Sequence, residues 1–407
     1  MRALSAVTGE KWLAIVGIGE DGVEGLAPAA ARRIAGAGLV VGATRHLALA
    51  APLIGGRAMT WPSPLADAIP AILAERPGPV AVLASGDPFW FGVGPVLARA
   101  VPADEMICWP APSSFALACA RLGWAVQDVA TLSCCGRPLA AVVPLLQPRG
   151  RVLVLSEDAA TPAALAKLVA ARGFDGATLH VLEALGGPRE RWRTTRAGCF
   201  DLDGIDPLNL VALELGAGPG LPLAAGLAED AFAHDGQVTK REIRAVTLAA
   251  LAPRRGEVLW DIGCGSGSVG IEWMLRHPAN RAIAVERDPV RAARAQENAA
   301  TLGVPALRVV KGTAPGALCD LPKPDAVFVG GGGHDAAVLA AAWDALRPEG
   351  RLVVNAVTVE TEAAVIAACR TYGGSLTRLS VARMDAVGTM HAFRPAMTVT
   401  QWAVTRP

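Results

Sequence analysis

Asp261-Ile262-Gly263-Cys264-Gly265-Ser266-Gly267-Ser268 follows a short apolar run, Glu257–Ile262, and opens a helical pattern, Ser268–Arg276. Glycines at 263, 265 and 267 let the backbone turn tightly and approach a ligand without Cβ clashes. Strand, glycine turn and helix in that order are the context a nucleotide-type loop needs. Glu286 closes the next strand, 23 residues after Gly263, where a carboxylate can accept hydrogen bonds from both ribose hydroxyls of an adenosine. The dinucleotide fingerprint asks for glycine at position 268, which is Ser. A purely structural turn, or a loop for another nucleotide, is the alternative.

Outward from that turn the second half alternates strand-like and helix-like segments. Strands are expected at Glu257–Ile262, Arg281–Glu286, Leu307–Lys311, Asp325–Val329 and Arg351–Asn355, with helices between them. Ser375–Met384 and Met397–Val404 then read as strands with no helix between, which predicts a sheet closed by an antiparallel hairpin. Thr239-Lys240-Arg241-Glu242 precedes a helical pattern, so Thr239 is expected as its N-cap with Glu242 completing a capping box. The same turn could also border the ligand.

The first half alternates too, with strands at Trp12–Val16, Leu39–Val41, Val80–Ala84, Met106–Trp109, Arg151–Leu155, Ala177–Glu183 and Asn209–Glu214. Mostly parallel sheets with covering helices are expected in both halves. Residues 216–231, rich in Gly and Pro, read as a linker between domains at 1–215 and 232–407. Three turns stand at strand ends in the first domain: Gly17-Ile18-Gly19, Ser85-Gly86-Asp87-Pro88, and Pro110-Ala111-Pro112-Ser113-Ser114. Ser113 is a plausible N-cap, and Asp87 either an Asx turn or a residue that orients a ligand. Glycine turns at strand C-termini are where open α/β sheets bind ligands.

Composition narrows the function. Of 407 residues 52% are hydrophobic and 18% charged, enough for large cores and too apolar for a disordered chain. Net charge is +1, with 18 basic and 19 acidic residues up to position 225 and 20 and 18 beyond it. Neither half has the basic excess of a nucleic-acid binder. The longest uncharged stretches, such as Met106–Ala120, fall short of the ~20 residues that span a bilayer, so no membrane association is expected. Met1–Lys11 lacks a secretory pattern. Eight scattered cysteines fit neither a disulfide framework nor a metal site, and a cytoplasmic protein with reduced thiols is expected. His46, His180 and His277 have no ligand-spaced partners.

The glycine spacing, with an acid two residues before it, resembles class I S-adenosylmethionine (SAM) methyltransferases. The run from Gln237-Val238-Thr239-Lys240 through Asp261–Ser268, Gly312-Thr313-Ala314-Pro315, Val329–Gly333 and Asn355-Ala356-Val357-Thr358 resembles the decarboxylating precorrin methyltransferases of cobalamin biosynthesis over residues 232–407. That resemblance implies SAM contacts at Thr239, Gly263, Cys264, Gly265, Ser266, Gly267, Glu286 and Ala314. Thr313 stands where the family usually has Asp. The three turns of the first half resemble the tetrapyrrole (corrin/porphyrin) methylase family, precorrin-6 branch, over residues 10–215. This implies a second SAM site at Gly17, Gly19, Ser85, Gly86, Asp87, Ser113 and Ser114. Where that family has His-Gly-Arg, this chain has Cys134-Cys135-Gly136-Arg137, so a role of that His falls to a thiol or is structural.

The implied fold is a two-lobed tetrapyrrole methylase followed by a Rossmann-like class I methyltransferase with a terminal antiparallel hairpin. The implied activity is methylation of precorrin-6B at C-5 and C-15 with loss of its C-12 acetate carboxylate as carbon dioxide, giving precorrin-8. Relatives of both halves typically associate, which implies a homo-oligomer. A neutral chain must recognise a polycarboxylate through local cations. Arg189, Arg191 and Arg193, spaced by two, are either a substrate-facing strand face or a charged edge strand. Asp87, Arg383, His391 and Arg394 are the catalytic candidates, the last three lying between the terminal strands. Two other readings stay open: a methyltransferase acting on RNA or protein, and a non-enzymatic carrier of SAM or a tetrapyrrole.

Overall fold

A computed structural model describes residues 11–407, which divide into two compact units. One runs to Arg137 and resumes over Gln147–Pro219; the other joins Pro138–Leu146 to Gly220–Pro407. In the first unit, β1 (Leu13–Ile18), β2 (Leu39–Gly42), β3 (Arg57–Thr60), β4 (Val80–Ser85) and β5 (Met106–Trp109) form a parallel sheet ordered β3-β2-β4-β1-β5. Helices α1 (Pro28–Ala35), α2 (Thr44–Ala50), α3 (Ile69–Ala74) and α4 (Gly94–Leu97) come between these strands. β1, β2 and nearly all of β4 are buried, as continuous apolar runs covered on both faces must be.

α5 (Ser114–Leu122) leads into a second sheet of β6 (Ala130–Ser133), β7 (Arg151–Leu155), β8 (Thr178–Glu183), β9 (Arg191–Arg196) and β10 (Asn209–Glu214), with α6 (Thr161–Ala171) after β7. Its order is β6-β7-β10-β8-β9, and only β6–β7 is parallel. The expected parallel sheet is thus corrected here. β8 and β9 are joined by a short loop, which permits antiparallel pairing without a crossover helix.

The second unit contains α7 (Arg241–Leu251), β11 (Val258–Ile262), α8 (Ser268–Leu275), β12 (Arg281–Glu286), α9 (Pro289–Thr301), β13 (Arg308–Lys311), β14 (Ala326–Val329), α10 (Ala336–Ala345), β15 (Arg351–Ala356) and α11 (Val359–Tyr372). β16 (Ser375–Leu379), β17 (Ala382–Val387), β18 (Met390–Pro395) and β19 (Val399–Thr405) complete it. Its seven-stranded sheet is ordered β13-β12-β11-β14-β15-β19-β16, with β19 antiparallel to both neighbours. Alternate residues of β11 enter opposite cores, Leu259 with Trp273 and Phe328, Trp260 and Ile262 with Val327, Leu352 and Trp402. The expected strand Ser375–Met384 stops at Leu379. β17 and β18 pair only with each other, and every residue in them is exposed. Among the described residues no helix is long and apolar enough to cross a membrane, and no cluster of three or more His, Cys, Asp or Glu is placed to hold a metal.

Candidate active sites

In the second unit the strand order reverses between β11 and β14, which run parallel side by side, and the glycine turn leaves the carboxyl end of β11 there. Gly263, Gly265 and Gly267 adopt φ of 70°, 56° and 76°, a region that side-chain-bearing residues avoid. At Gly263 a Cβ would lie 2.7 Å from the backbone of Gly331, so two glycine loops touch where any larger residue would separate them. Beside them lies a cavity of about 1010 Å³ lined by Thr239, Gly263, Cys264, Gly265, Ser266, Glu286 and Ala314. Gly267, behind the turn, does not line it.

Glu286, buried at the end of β12, accepts the Gly265 N–H at 2.9 Å through Oε2 and the Asp288 N–H at 3.0 Å through Oε1. Each oxygen keeps a free lone pair, so the carboxylate can still accept from a diol. Asp261 takes the Gly270 N–H at 2.9 Å and so ties the start of α8 to β11. Burial pushes this carboxyl up to about 7, and the neighbouring Glu286 charge adds to the shift. Burial likewise raises the Cys264 thiol, which keeps it protonated. Asn355 lines the cavity from β15, its amide fixed by a bond to Thr247 Oγ1 at 2.9 Å and one from Gln401 Nε2 at 2.9 Å.

Thr239 is not the helix cap expected of it. α7 begins at Arg241 with Lys240 at the N-cap and no side-chain cap. The turn is held instead by Arg244, fully buried, which donates to the Thr239 and Leu227 carbonyls and to Glu272 Oε1 at 2.6 Å. Glu272, also fully buried, accepts the Gly226 and Leu227 N–H groups at 2.7 and 2.8 Å. One buried ion pair therefore fixes the chain on both sides of the entry to the unit.

Of the hairpin candidates, Arg383 and Arg394 line the cavity and His391 does not. Arg383 is bound to Glu229 at 2.8 Å and Glu242 at 2.5 Å, and Arg394 to Asp385 at 3.2 Å. Their charge is balanced within the protein. Hydrogen bonding from Arg383 and from the Arg241 N–H outweighs desolvation and holds the Glu229 carboxyl down at about 2.

In the first unit the three predicted turns meet at the carboxyl ends of β1, β4 and β5. A Cβ on Gly17 would lie 1.9 Å from the Gly86 carbonyl, and the Ala111 N–H donates to that carbonyl at 3.1 Å. Gly19 follows β1, and Ser113 caps α5, accepting the Ala116 N–H at 3.2 Å, with Ser114 the first helical residue. Asp87 forms the Asx turn, its Oδ1 accepting the Phe89 N–H at 2.8 Å.

His46, set aside in the sequence, is the residue missed here. Its Nε2 lies 2.8 Å from Ser85 Oγ, which also accepts from Arg45 Nη2 at 2.7 Å, while Arg45 pairs with Glu20. Burial, then the Arg45 charge, push His46 down to about 4, so it stays neutral and serves as acceptor for the Ser85 hydroxyl. No local spacing links position 46 to position 85; only the β2–β4 pairing does. β9 proves to be an edge strand, and Arg191 and Arg193 both bind the buried Glu183, at 2.6 and 3.0 Å. Arg189 precedes the strand and pairs with Asp206 and Glu20. The arginine-rich stretch is therefore an internally neutralised edge rather than a free cationic face.

Comparison with known proteins fits both halves of this geometry. A family model described as tetrapyrrole (corrin/porphyrin) methylases matches residues 13–200, and one described as a precorrin methyltransferase domain matches residues 230–406. A relative from Sinorhizobium sp, named precorrin-6Y C(5,15)-methyltransferase [decarboxylating], is 54% identical over 97% of this chain and 96% of its own. The chain belongs to the decarboxylating precorrin-6Y C(5,15)-methyltransferases. A Mycobacterium tuberculosis (strain ATCC 25618 / H37Rv) member is 40% identical over 96% of this chain and 99% of its own. A shorter relative from Pyrobaculum calidifontis, named a probable cobalt-precorrin-6B C(15)-methyltransferase (decarboxylating), is 38% identical over 41% of this chain and 89% of its own. As a member of this family the chain is an enzyme, a methyltransferase of cobalamin biosynthesis whose reaction includes decarboxylation, and it uses a methyl donor.

Proposed function

We propose that the chain carries two SAM sites, methylates precorrin-6B at C-5 and C-15, and releases the C-12 acetate carboxylate as carbon dioxide to give precorrin-8. The observation that carries this reading is the second unit's cavity. Its volume suits a nucleoside-sized donor with part of a substrate, its floor is glycine backbone, and Glu286 keeps acceptor capacity at its rim. The donor residues of the second site are Thr239, Gly263, Cys264, Gly265, Ser266, Glu286 and Ala314, with Gly267 shaping the turn. Those of the first are Gly17, Gly19, Ser85, Gly86, Asp87, Ser113 and Ser114. Bound SAM supplies an electrophilic methyl group. The chain's part is to hold donor and nucleophilic carbon in line and to exclude water.

C-15 methylation and decarboxylation are assigned to the second unit. A relative matching only 41% of this chain bears both in its name, which supports one unit sufficing for them. C-5 methylation is assigned to the first. We place the domains at 1–215 and 232–407 with a linker at 216–231, and read the enzyme as a cytoplasmic homo-oligomer. The exposed Met384, Met390 and Phe393 of the β17–β18 hairpin support association.

Incubating the full chain with precorrin-6B and methyl-labelled SAM tests the reading. Two methyl groups gained and one carbon dioxide lost per substrate are expected. Bound ligand without turnover would make the protein a carrier, and calorimetry with a single SAM event per chain would remove the two-site scheme.

A further inference from the structure

In the first unit the chain leaving β4 runs Asp87-Pro88-Phe89-Trp90-Phe91-Gly92, and its three aromatic side chains are 46%, 40% and 41% exposed. Single exposed apolar residues are ordinary, but three consecutive large ones at the end of a central strand are not. They are not loose. Trp90 and Phe91 rest on the buried Phe115 ring at centroid distances of 5.9 and 5.7 Å, and Phe115 follows the Ser113–Ser114 turn. Phe91 holds a φ of +58°, a conformation that a bulky residue adopts only when its surroundings force it and that concentrates at ligand sites.

The Arg137 guanidinium lies 5.0 Å above the Phe91 ring. Arg45, Arg121, Arg189, Arg191 and Arg193 of the same unit all pair with carboxylates. Arg137 is exposed and has no carboxylate within 4.0 Å among the described residues.

We propose that Trp90, Phe91 and Arg137 seat the tetrapyrrole substrate of the first unit, the aromatic faces against the macrocycle and the guanidinium on one of its peripheral carboxylates. An extended conjugated ring stacks on aromatic faces, and a planar guanidinium pairs with carboxylate in two-pronged fashion. The adenine of a methyl donor would also stack, but SAM offers a single carboxylate offset by its own ammonium and sulfonium, whereas the precorrin carries several uncompensated carboxylates. Charge complementarity therefore selects the polycarboxylate ring. This inference rests on the function proposed above.

The test uses the full chain, with precorrin-6B and methyl-labelled SAM, and reads C-5 and C-15 methylation separately by product NMR. In Phe91→Gly the relief of strain at +58° opposes the loss of ring packing on Phe115, so the chain is expected to stay folded with a melting temperature within about 5 °C of wild type. The substitution should nonetheless raise the substrate KM for C-5 methylation about tenfold, a single good contact's worth. Arg137→Glu should raise the same KM by tenfold or more, with Arg137→Lys recovering part of the loss. The SAM KM and C-15 methylation stay at wild-type values. An unchanged precorrin KM in Phe91→Gly and Arg137→Glu overturns the proposal, as does an effect confined to the SAM KM. Wild-type chain that methylates neither carbon overturns the function on which it stands.

Discussion

Replacing Glu272 by Gln tests the claim that a buried ion pair fixes the entry to the second unit. Three donors converge on this carboxylate: the Gly226 and Leu227 N–H groups at 2.7 and 2.8 Å and Arg244 Nε at 2.6 Å. The amide keeps one acceptor oxygen and turns an NH2 toward a donor, so one N–H loses its partner and Arg244, fully buried, loses its counter-charge. Breaking one partner of a buried pair costs about 3–5 kcal/mol. For a unit of this size that is roughly 6–20 °C in melting temperature. The assay is thermal unfolding followed with amide hydrogen exchange at Gly226 and Leu227, both of which should lose protection. If Glu272→Gln melts within about 3 °C of wild type, or leaves those two amides as protected as before, the pair does not hold the segment and the reasoning fails.

The glycine turn gives a graded pair: Gly263→Ala puts a Cβ 2.7 Å from Gly331 backbone, whereas at Gly265 the nearest atom is 3.8 Å away. Gly265→Ala should cost only the left-handed penalty of about 1–2 kcal/mol, and Gly263→Ala about 2–3 kcal/mol more, read by denaturant midpoints. Burial pushes Asp261 up to about 7 from the ordinary 3.8 of an aspartate, so between those values the folded state binds the extra proton. Its contribution makes stability fall as pH rises through that window and level off above it, and Asp261→Asn should abolish that slope in urea titrations against pH. Glu286→Gln leaves an acceptor for the Gly265 N–H but puts a donor on the other arm; SAM affinity measured by calorimetry should drop about tenfold, the loss of one charge-assisted bond.

Signals carried by neighbouring residues were legible in the sequence. The parallel strands of the second unit with helices after β11, β12, β14 and β15, the glycine turn at 263–267 and Glu286 at the next strand end all depend on local periodicity and spacing, and the structure has them in place. What depends on pairing between distant strands was not. The order β6-β7-β10-β8-β9 leaves no trace in any single segment. The start of β17 reads as a continuation of β16 and β18 as part of the connection to the last strand, because every residue of the hairpin is exposed and no buried alternation marks either strand. Thr239 looked like a cap because Glu242 follows at capping-box spacing, yet Glu242 turns instead to Arg383. Arg383 and Arg394 read as free cations because their carboxylate partners come from elsewhere in the fold or across the hairpin. Glu272 could have been found: it is the one charge in Val269-Gly270-Ile271-Glu272-Trp273-Met274, and a charge inside an apolar helix needs a buried partner.

β15 and β16 never pair with each other; both lean on β19, which the chain reaches 20 residues after β16 ends. During synthesis on the ribosome the emerging second unit therefore carries two raw sheet margins until Val399–Thr405 slides between them. Until that moment Trp402, which ends fully enclosed, has nowhere to go. The second sheet of the first unit has a wait of the same kind, because β7 and β8 are joined only through β10, which the chain reaches 26 residues after β8 ends. Vectorial production thus opens one interval of mispairing hazard in each unit, closed when β10 and then β19 slots in, and a holding chaperone would be of most use there.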